Sequence, residues 1–305
     1  MILQSMKLSY ILNKSVVNRI KASIKLFTEL TKVTITLPVT FLTFSGYALA
    51  HHIIDTTVIW VCLGVFMLAG AASIINQIIE YRFDKIMERT RKRPIPSGRI
   101  SSMNAAWIAI VMTVIGVALL WPESKAAVLL GIINLVWYLG IYTYLKRFTA
   151  LAVVPGSITG AIPLLIGWAA GNGQILNPEI LYLSFFVFMW QIPHFWLLML
   201  IYGKDYESAG YPTLFRVFSD SQVRIWTLAW IIALTLVPLS FLIFGLINSL
   251  TYSFVVAISS VSIIIIATRL LIYKPEIKNN KMMFHLINLF MVGILIIKMF
   301  DSFQK

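Results

Sequence analysis

Nine stretches of this 305-residue chain are each apolar over about the length that crosses a bilayer. A helix needs roughly 20 apolar residues to do so. The stretches run approximately 33–53, 57–80, 104–121, 126–145, 149–170, 179–202, 224–246, 249–273 and 282–300. In lipid every backbone polar group must be satisfied within the protein. The expected fold is therefore all-α, a polytopic membrane protein of nine transmembrane helices. Composition agrees: 12% of residues are charged, against about a quarter in a soluble domain. So few charges cannot cover a globular surface of this size, which excludes a soluble enzyme and a disordered chain. The one cysteine, Cys62, forms no internal bridge and shows no metal spacing. The fourth and fifth spans are joined by a short basic turn, Lys146-Arg147, and the fifth holds Pro155, Gly156 and Gly160.

The net charge of +13 invites a nucleic-acid partner. Its distribution points elsewhere, and no nucleic-acid partner is expected. Nine spans put the termini on opposite sides. The loops on the side of the N-terminus carry 22 Lys and Arg, and the other side carries three, Lys125, Lys298 and Lys305. Cytoplasmic loops collect Lys and Arg, so the N-terminus is expected in the cytoplasm and the C-terminus outside, in a cell inner (plasma) membrane. Residues 10–32 lack the pattern of a cleaved signal peptide. Val16, Ile20, Ile24 and Phe27 fall on one helical face, with Lys14, Lys21 and Lys25 elsewhere. Segment 1–32 reads as a basic amphipathic element on the inner leaflet, followed by one domain, 33–305.

Chemistry concentrates at 76–99. Asn76, Glu80, Asp84 and Glu88 recur every four residues, so neighbours share a helical face. Like charges at this spacing repel, and Glu80 sits at a membrane edge where ionisable groups are expensive. Two partners offset such a cost. One is a divalent cation, for which hard oxygen ligands suit Mg²⁺. The other is the following run Arg89, Arg91, Lys92 and Arg93. An ordinary juxtamembrane loop with surface ion pairs would carry similar residues.

Asn76-x3-Glu80-x3-Asp84, then Arg89-Thr90-x2-Arg93-Pro94-x-Pro96-Ser97-Gly98, resembles the first signature of the intramembrane prenyltransferases of the UbiA superfamily. The resemblance implies a UbiA-type bundle with cytoplasmic cap loops. It implies Mg²⁺ held by Asn76, Glu80, Asp84 and Asp205 against an isoprenyl diphosphate, and a diphosphate clamp of Arg89, Arg93, Lys146 and Lys204. Tyr142 would stabilise the nascent cation. Outside the family context, Tyr142 and Lys146 are an interfacial tyrosine and a positive-inside lysine. The match departs at Glu80, where aspartate is usual, and at Arg82, where many relatives carry another acid; Arg82 would contact phosphate instead. The second acidic region, in a loop over 203–220, keeps Asp205 and has Ala209 where many relatives have an acid.

Three further stretches resemble the haem-farnesylating branch of the superfamily. They are Tyr144-Leu145-Lys146-Arg147-x-Thr149, Gly160-Ala161-x-Pro163-Leu164-Leu165-Ile166-Gly167-Trp168, and Trp190-Gln191-Ile192-Pro193-His194-Phe195-Trp196. That branch implies transfer of a farnesyl group from farnesyl diphosphate to the 2-vinyl group of haem b, followed by water addition. It also implies a haem A synthase or cytochrome oxidase assembly partner. Trp190 and His194 are its haem-binding candidates, His194 as an iron ligand or pocket contact. The alternative for His194 is a packed histidine donating to a carbonyl freed by Pro193. Prenylation of another ring, a quinone precursor or chlorophyllide, and membrane transport are the competing functions.

Overall fold

The computed structural model describes residues 17–304, so Lys14 and Val16 lie outside the described residues. Among these residues the chain is helical, without strands. Nine helices have the length and apolarity to cross a membrane: Val33–His51, Thr57–Ile79, Ser102–Leu120, Lys125–Leu145, Ala150–Ala170, Pro178–Ser208, Asp220–Ile243, Leu250–Tyr273 and Ile277–Phe303. They are the first to ninth spans below. Large apolar side chains point outward from them, among them Trp107, Val114, Ile258, Ile265 and Leu289. In water this surface would be unfavourable; in lipid it has no such cost.

The boundaries agree with the hydropathy pattern to within about four residues except in the ninth span, which starts five residues early at Ile277, and in the sixth. That helix continues to Ser208 and is 31 residues long, so Asp205 sits on a helical extension and not in the expected loop. Hydropathy ends at the first polar residues, but helical backbone bonding does not. Asn177 caps the helix start through its side chain, and Pro178 occupies the first turn, where its missing N–H costs nothing.

The second span packs mainly on the third, the first on the fifth, and the sixth on the fifth, seventh and ninth. Where the first and fifth spans cross, a Cβ on Gly46 would strike the Leu164 carbonyl and one on Gly167 the Thr43 carbonyl. Glycine permits that close backbone approach. At one end of the bundle Lys298, 1% exposed, pairs with Glu179 at 2.6 Å, and the Asp301 carboxylate accepts the Asn248 and Ser249 amides. At the other end Arg99 pairs with Glu29 at 2.5 Å and Arg224 donates to Asn280 at 2.8 Å. Residues 17–30 are helical, with Ile20, Ile24 and Phe27 exposed beside exposed Lys21 and Lys25.

Candidate active site

The second span ends at Ile79, and a short helix, Tyr81–Ile86, follows Glu80. The i to i−4 bonding runs through the joint, from Glu80 N to Asn76 O and from Asp84 N to Glu80 O. This keeps Asn76, Glu80 and Asp84 on one line despite the break. All three are buried, at 2%, 5% and 1% exposure. They line one wall of a cavity of about 290 Å³ that opens between the first, second, fourth, fifth and sixth spans. Its upper wall is polar and its depths are apolar, with Val65, Leu68, Pro163 and Ile166.

Each buried carboxylate meets a cation. Arg93 Nη1 donates to both Asp84 oxygens at 2.9 and 2.8 Å. Lys146 Nζ lies 2.5 Å from Glu80 Oε1, and the Tyr211 hydroxyl donates to the same oxygen at 2.8 Å. Burial works against the Glu80 charge, but Lys146, Tyr211 and Lys32 together outweigh it and hold the carboxyl below its usual range. Burial and then the Glu80 charge push the Tyr211 hydroxyl upward, so it stays a donor. Lys32 Nζ donates to Asn76 Oδ1 at 3.3 Å, and burial followed by Arg93 pushes its ammonium down to about 7. Lys32, Arg89, Arg93 and Lys146 thus face Glu80 and Asp84 across one wall, a surplus of positive charge shaped for an anion.

The cap loop is built around Asp84. The Thr90 hydroxyl donates to the Asp84 carbonyl. Gly98 turns the chain at φ 77°, a conformation glycine adopts without strain. Arg89 lies over the Tyr202 and Tyr206 rings and donates to the Tyr206 hydroxyl at 3.2 Å. In the fourth span a π-helical turn over Trp137–Tyr142 widens the helix beside the cavity, as such turns often do at functional sites. Tyr138 and Tyr142 line the cavity there. The Tyr142 ring lies 5.7 Å from Tyr138 and 6.2 Å from Phe195, with Lys146 Nζ 5.4 Å away.

Several expected site residues sit elsewhere. Asp205 does not join the acid row: its oxygens accept the backbone amides of Glu88 at 2.7 Å and Arg89 at 3.2 Å. It clamps the cap loop to the sixth span. Lys204 and Arg82 are exposed and off the cavity wall, because helical rotation carries them to other faces. Ala209 is buried with Met87 and Tyr211, a place poorly suited to an acid. His194 Nδ1 pairs with Asn288 Oδ1 at 2.8 Å, and its ring packs on Trp190 and Phe284. Neither His194 nor Trp190 lines the cavity; His194 faces the ninth span, with Asn288 as its partner in place of the carbonyl freed by Pro193. The sequence reading gave no role to Lys32, Tyr138, Tyr206 or Tyr211; Tyr206 and Tyr211 stand within the stretch Asp205-Tyr206-x2-Ala209-Gly210-x-Pro212, while no local motif marks Lys32 or Tyr138.

Among the described residues no three acidic, histidine or cysteine side chains converge as a ready-made metal cluster. The row Asn76, Glu80 and Asp84 nevertheless fits a divalent cation bound together with phosphates. Mg²⁺ is usually held by one or two carboxylates plus substrate oxygens, and the cations now on these carboxylates would turn to the diphosphate.

The chain matches the model of the UbiA prenyltransferase family over residues 39–289. A protoheme IX farnesyltransferase of Flavobacterium psychrophilum is 32% identical over 270 residues, 86% of this chain and 87% of that protein. A solved digeranylgeranylglyceryl phosphate synthase structure superposes with a TM-score of 0.74 at 16% identity, covering 92% of this chain and 99% of that one. A UbiA homolog from Archaeoglobus fulgidus, solved with DMAPP and Mg²⁺, gives 0.64 at 12% identity over 88% of this chain and 98% of that one. The cap of buried acids and cations over an apolar cavity is thus set in a fold shared with these structures, and the chain belongs to the UbiA prenyltransferase family.

Proposed function

We propose that this chain transfers the farnesyl group of farnesyl diphosphate to the 2-vinyl group of haem b, with addition of water, giving haem O and diphosphate. The observation that carries the chemistry is the charge-paired row, Glu80 with Lys146 and Asp84 with Arg93, at the mouth of an apolar cavity. The choice of substrates rests on the farnesyltransferase relative and on the Trp190–Trp196 and Gly160–Trp168 stretches.

Arg93, Arg89, Lys146 and Lys32 bind the diphosphate and stabilise the charge it gains as its bond to carbon breaks. Asn76, Glu80 and Asp84 would hold Mg²⁺, which when bound would further neutralise the leaving group. Glu80 and Asp84 also keep the clamp ordered before substrate arrives, through the pairs described above. The Tyr142 ring offers its face to the allylic cation, and Tyr138 and Phe195 extend that aromatic wall. The apolar depths receive the isoprenyl tail and limit access of bulk water. The helix at 17–30 lies on the inner leaflet of a plasma membrane, its exposed apolar side chains in the acyl boundary and its lysines toward anionic headgroups.

Incubating purified protein with haem b, a hydroxylated aromatic acid, Mg²⁺ and labelled farnesyl diphosphate tests the proposal. Label recovered in a porphyrin that has also gained one water is expected. Label transferred only to a hydroxylated aromatic acid would reject haem as the acceptor and keep the prenyl transfer.

A further inference from the structure

Lys32 stands at a sharp reversal of the chain. Residues 17–30 are helical and the first span starts at Val33. Between them Lys32 takes φ 50° and ψ 56°, a left-handed backbone that residues other than glycine rarely adopt. The reversal decides where the ammonium goes. Lys25 is exposed, and Lys32 follows it by seven residues. Seven residues carry a helix through nearly two full circles, so a helix continuing past residue 30 would send Lys32 to the same outer face as Lys25. The reversal brings it to the cavity wall instead, with Nζ 3.3 Å from Asn76 Oδ1.

A strained backbone persists only where its surroundings hold it. Three contacts surround this one. Gln77 Nε2 donates to the Leu30 carbonyl at 2.7 Å. Thr31 is fully buried beside Gly70 of the second span, with its hydroxyl bonded to the Phe27 carbonyl of its own helix. Glu29 pairs with Arg99 of the cap loop, both partly exposed, where an ion pair is worth little. Of the three, the Gln77 bond is the one that ties the backbone at the reversal to a membrane span.

Gln77 is 0% exposed, and its Oε1 has no hydrogen-bond partner among the described residues. Burying an amide for one bond carries a cost that an apolar side chain would not incur, so packing alone does not account for a glutamine here. Its neighbour Asn76 receives the Lys32 ammonium. Successive helical residues point about 100° apart. The second span therefore grips one segment twice, Gln77 at the Leu30 backbone and Asn76 at the tip of Lys32. We propose that Gln77 is a positioning residue for the diphosphate: by holding the Leu30 carbonyl it keeps the chain reversed at Lys32 and the Lys32 ammonium in the clamp. Gln77 does not line the cavity and acts through Lys32.

This rests on the reading of the site as a prenyl diphosphate clamp. If Gln77 acts through Lys32, its effect disappears once Lys32 is gone, whereas independent sites add. A merely structural role would not produce that dependence. Wild type, Lys32→Met, Gln77→Met, Gln77→Asn and the double variant of Lys32→Met with Gln77→Met would be assayed for KM and kcat towards farnesyl diphosphate, with haem b and Mg²⁺ saturating. Gln77→Met keeps the length of the side chain without the donor, and Gln77→Asn keeps the amide but withdraws it from Leu30.

Lys32→Met should raise the KM about tenfold, through loss of a charge-assisted contact. Each Gln77 variant should raise it about threefold or more with kcat within about twofold, because a displaced group loses part of its contact. The double variant should match Lys32→Met alone. A wild-type KM in both Gln77 variants overturns the proposal, and so does a double variant whose KM rises by the product of the single effects. An unchanged KM in Lys32→Met would remove Lys32 from the clamp, and the proposal with it. Wild-type protein that neither binds nor consumes farnesyl diphosphate would instead sink the underlying prenyl-transfer reading.

Discussion

Asp84 holds a cation in a place where an unpaired carboxylate would be costly. It is 1% exposed, and Arg93 meets both of its oxygens. Breaking such a pair from one side leaves the other charge uncompensated. Arg93→Ala should therefore cost about tenfold or more in turnover per farnesyl diphosphate, roughly 1.4 kcal/mol, with haem affinity little changed; steady-state kinetics on both substrates reads this, and the reverse pattern would remove Arg93 from the clamp. His194 presents a different case. Its Nδ1 is bonded to Asn288 and its ring packs, tilted, against Phe284, at the interface of two helices. His194→Ala should lower stability by about 1–3 kcal/mol by leaving the Asn288 oxygen unpaired, while the Soret band of bound haem stays in place. A shifted band would restore it as an iron ligand.

At the scale of elements, the long sixth span connects the cap to the bundle. Its last turns project past the apolar stretch, and Asp205 there takes the two amides of Glu88 and Arg89. That contact sets where Arg89 begins, and so where its guanidinium lies between Tyr202 and Tyr206. Asp205→Ala should raise the KM for farnesyl diphosphate more than it lowers kcat, and should speed hydrogen exchange at Glu88 and Arg89. A loss that saturating Mg²⁺ restores, with exchange unaltered, would make Asp205 a metal ligand instead. The π-helical turn of the fourth span acts similarly on Tyr138 and Tyr142: an irregular stretch of backbone re-aims two rings that regular helical spacing would send elsewhere.

For the whole molecule, the acids, the cap loop and the cationic clamp lie at one end of the bundle, and the Lys298–Glu179 and Asp301–Asn248 contacts at the other. Among the described residues 20 Lys and Arg fall at the first end and two, Lys125 and Lys298, at the other. A reporter fused after residue 98 should respond as cytoplasmic and one after residue 174 as external. Matching compartments for the two fusions would be incompatible with the nine-span arrangement.

Sequence by itself determined the nine spans, the all-α class and the position of the acid row, because apolar length and a four-residue spacing are properties of one stretch of chain. Asn76, Glu80, Asp84, Arg89 and Arg93 were legible for that reason: they sit within one short segment. Only the tertiary structure decided the rest. Lys32 and Tyr211 reach Asn76 and Glu80 from distant parts of the chain. Asp205 went to backbone amides and His194 to a neighbouring span, although both stood in recognisable motifs. Which face a helix turns to its neighbours depends on packing against every other span, so a motif can name a residue while the bundle decides what that residue touches.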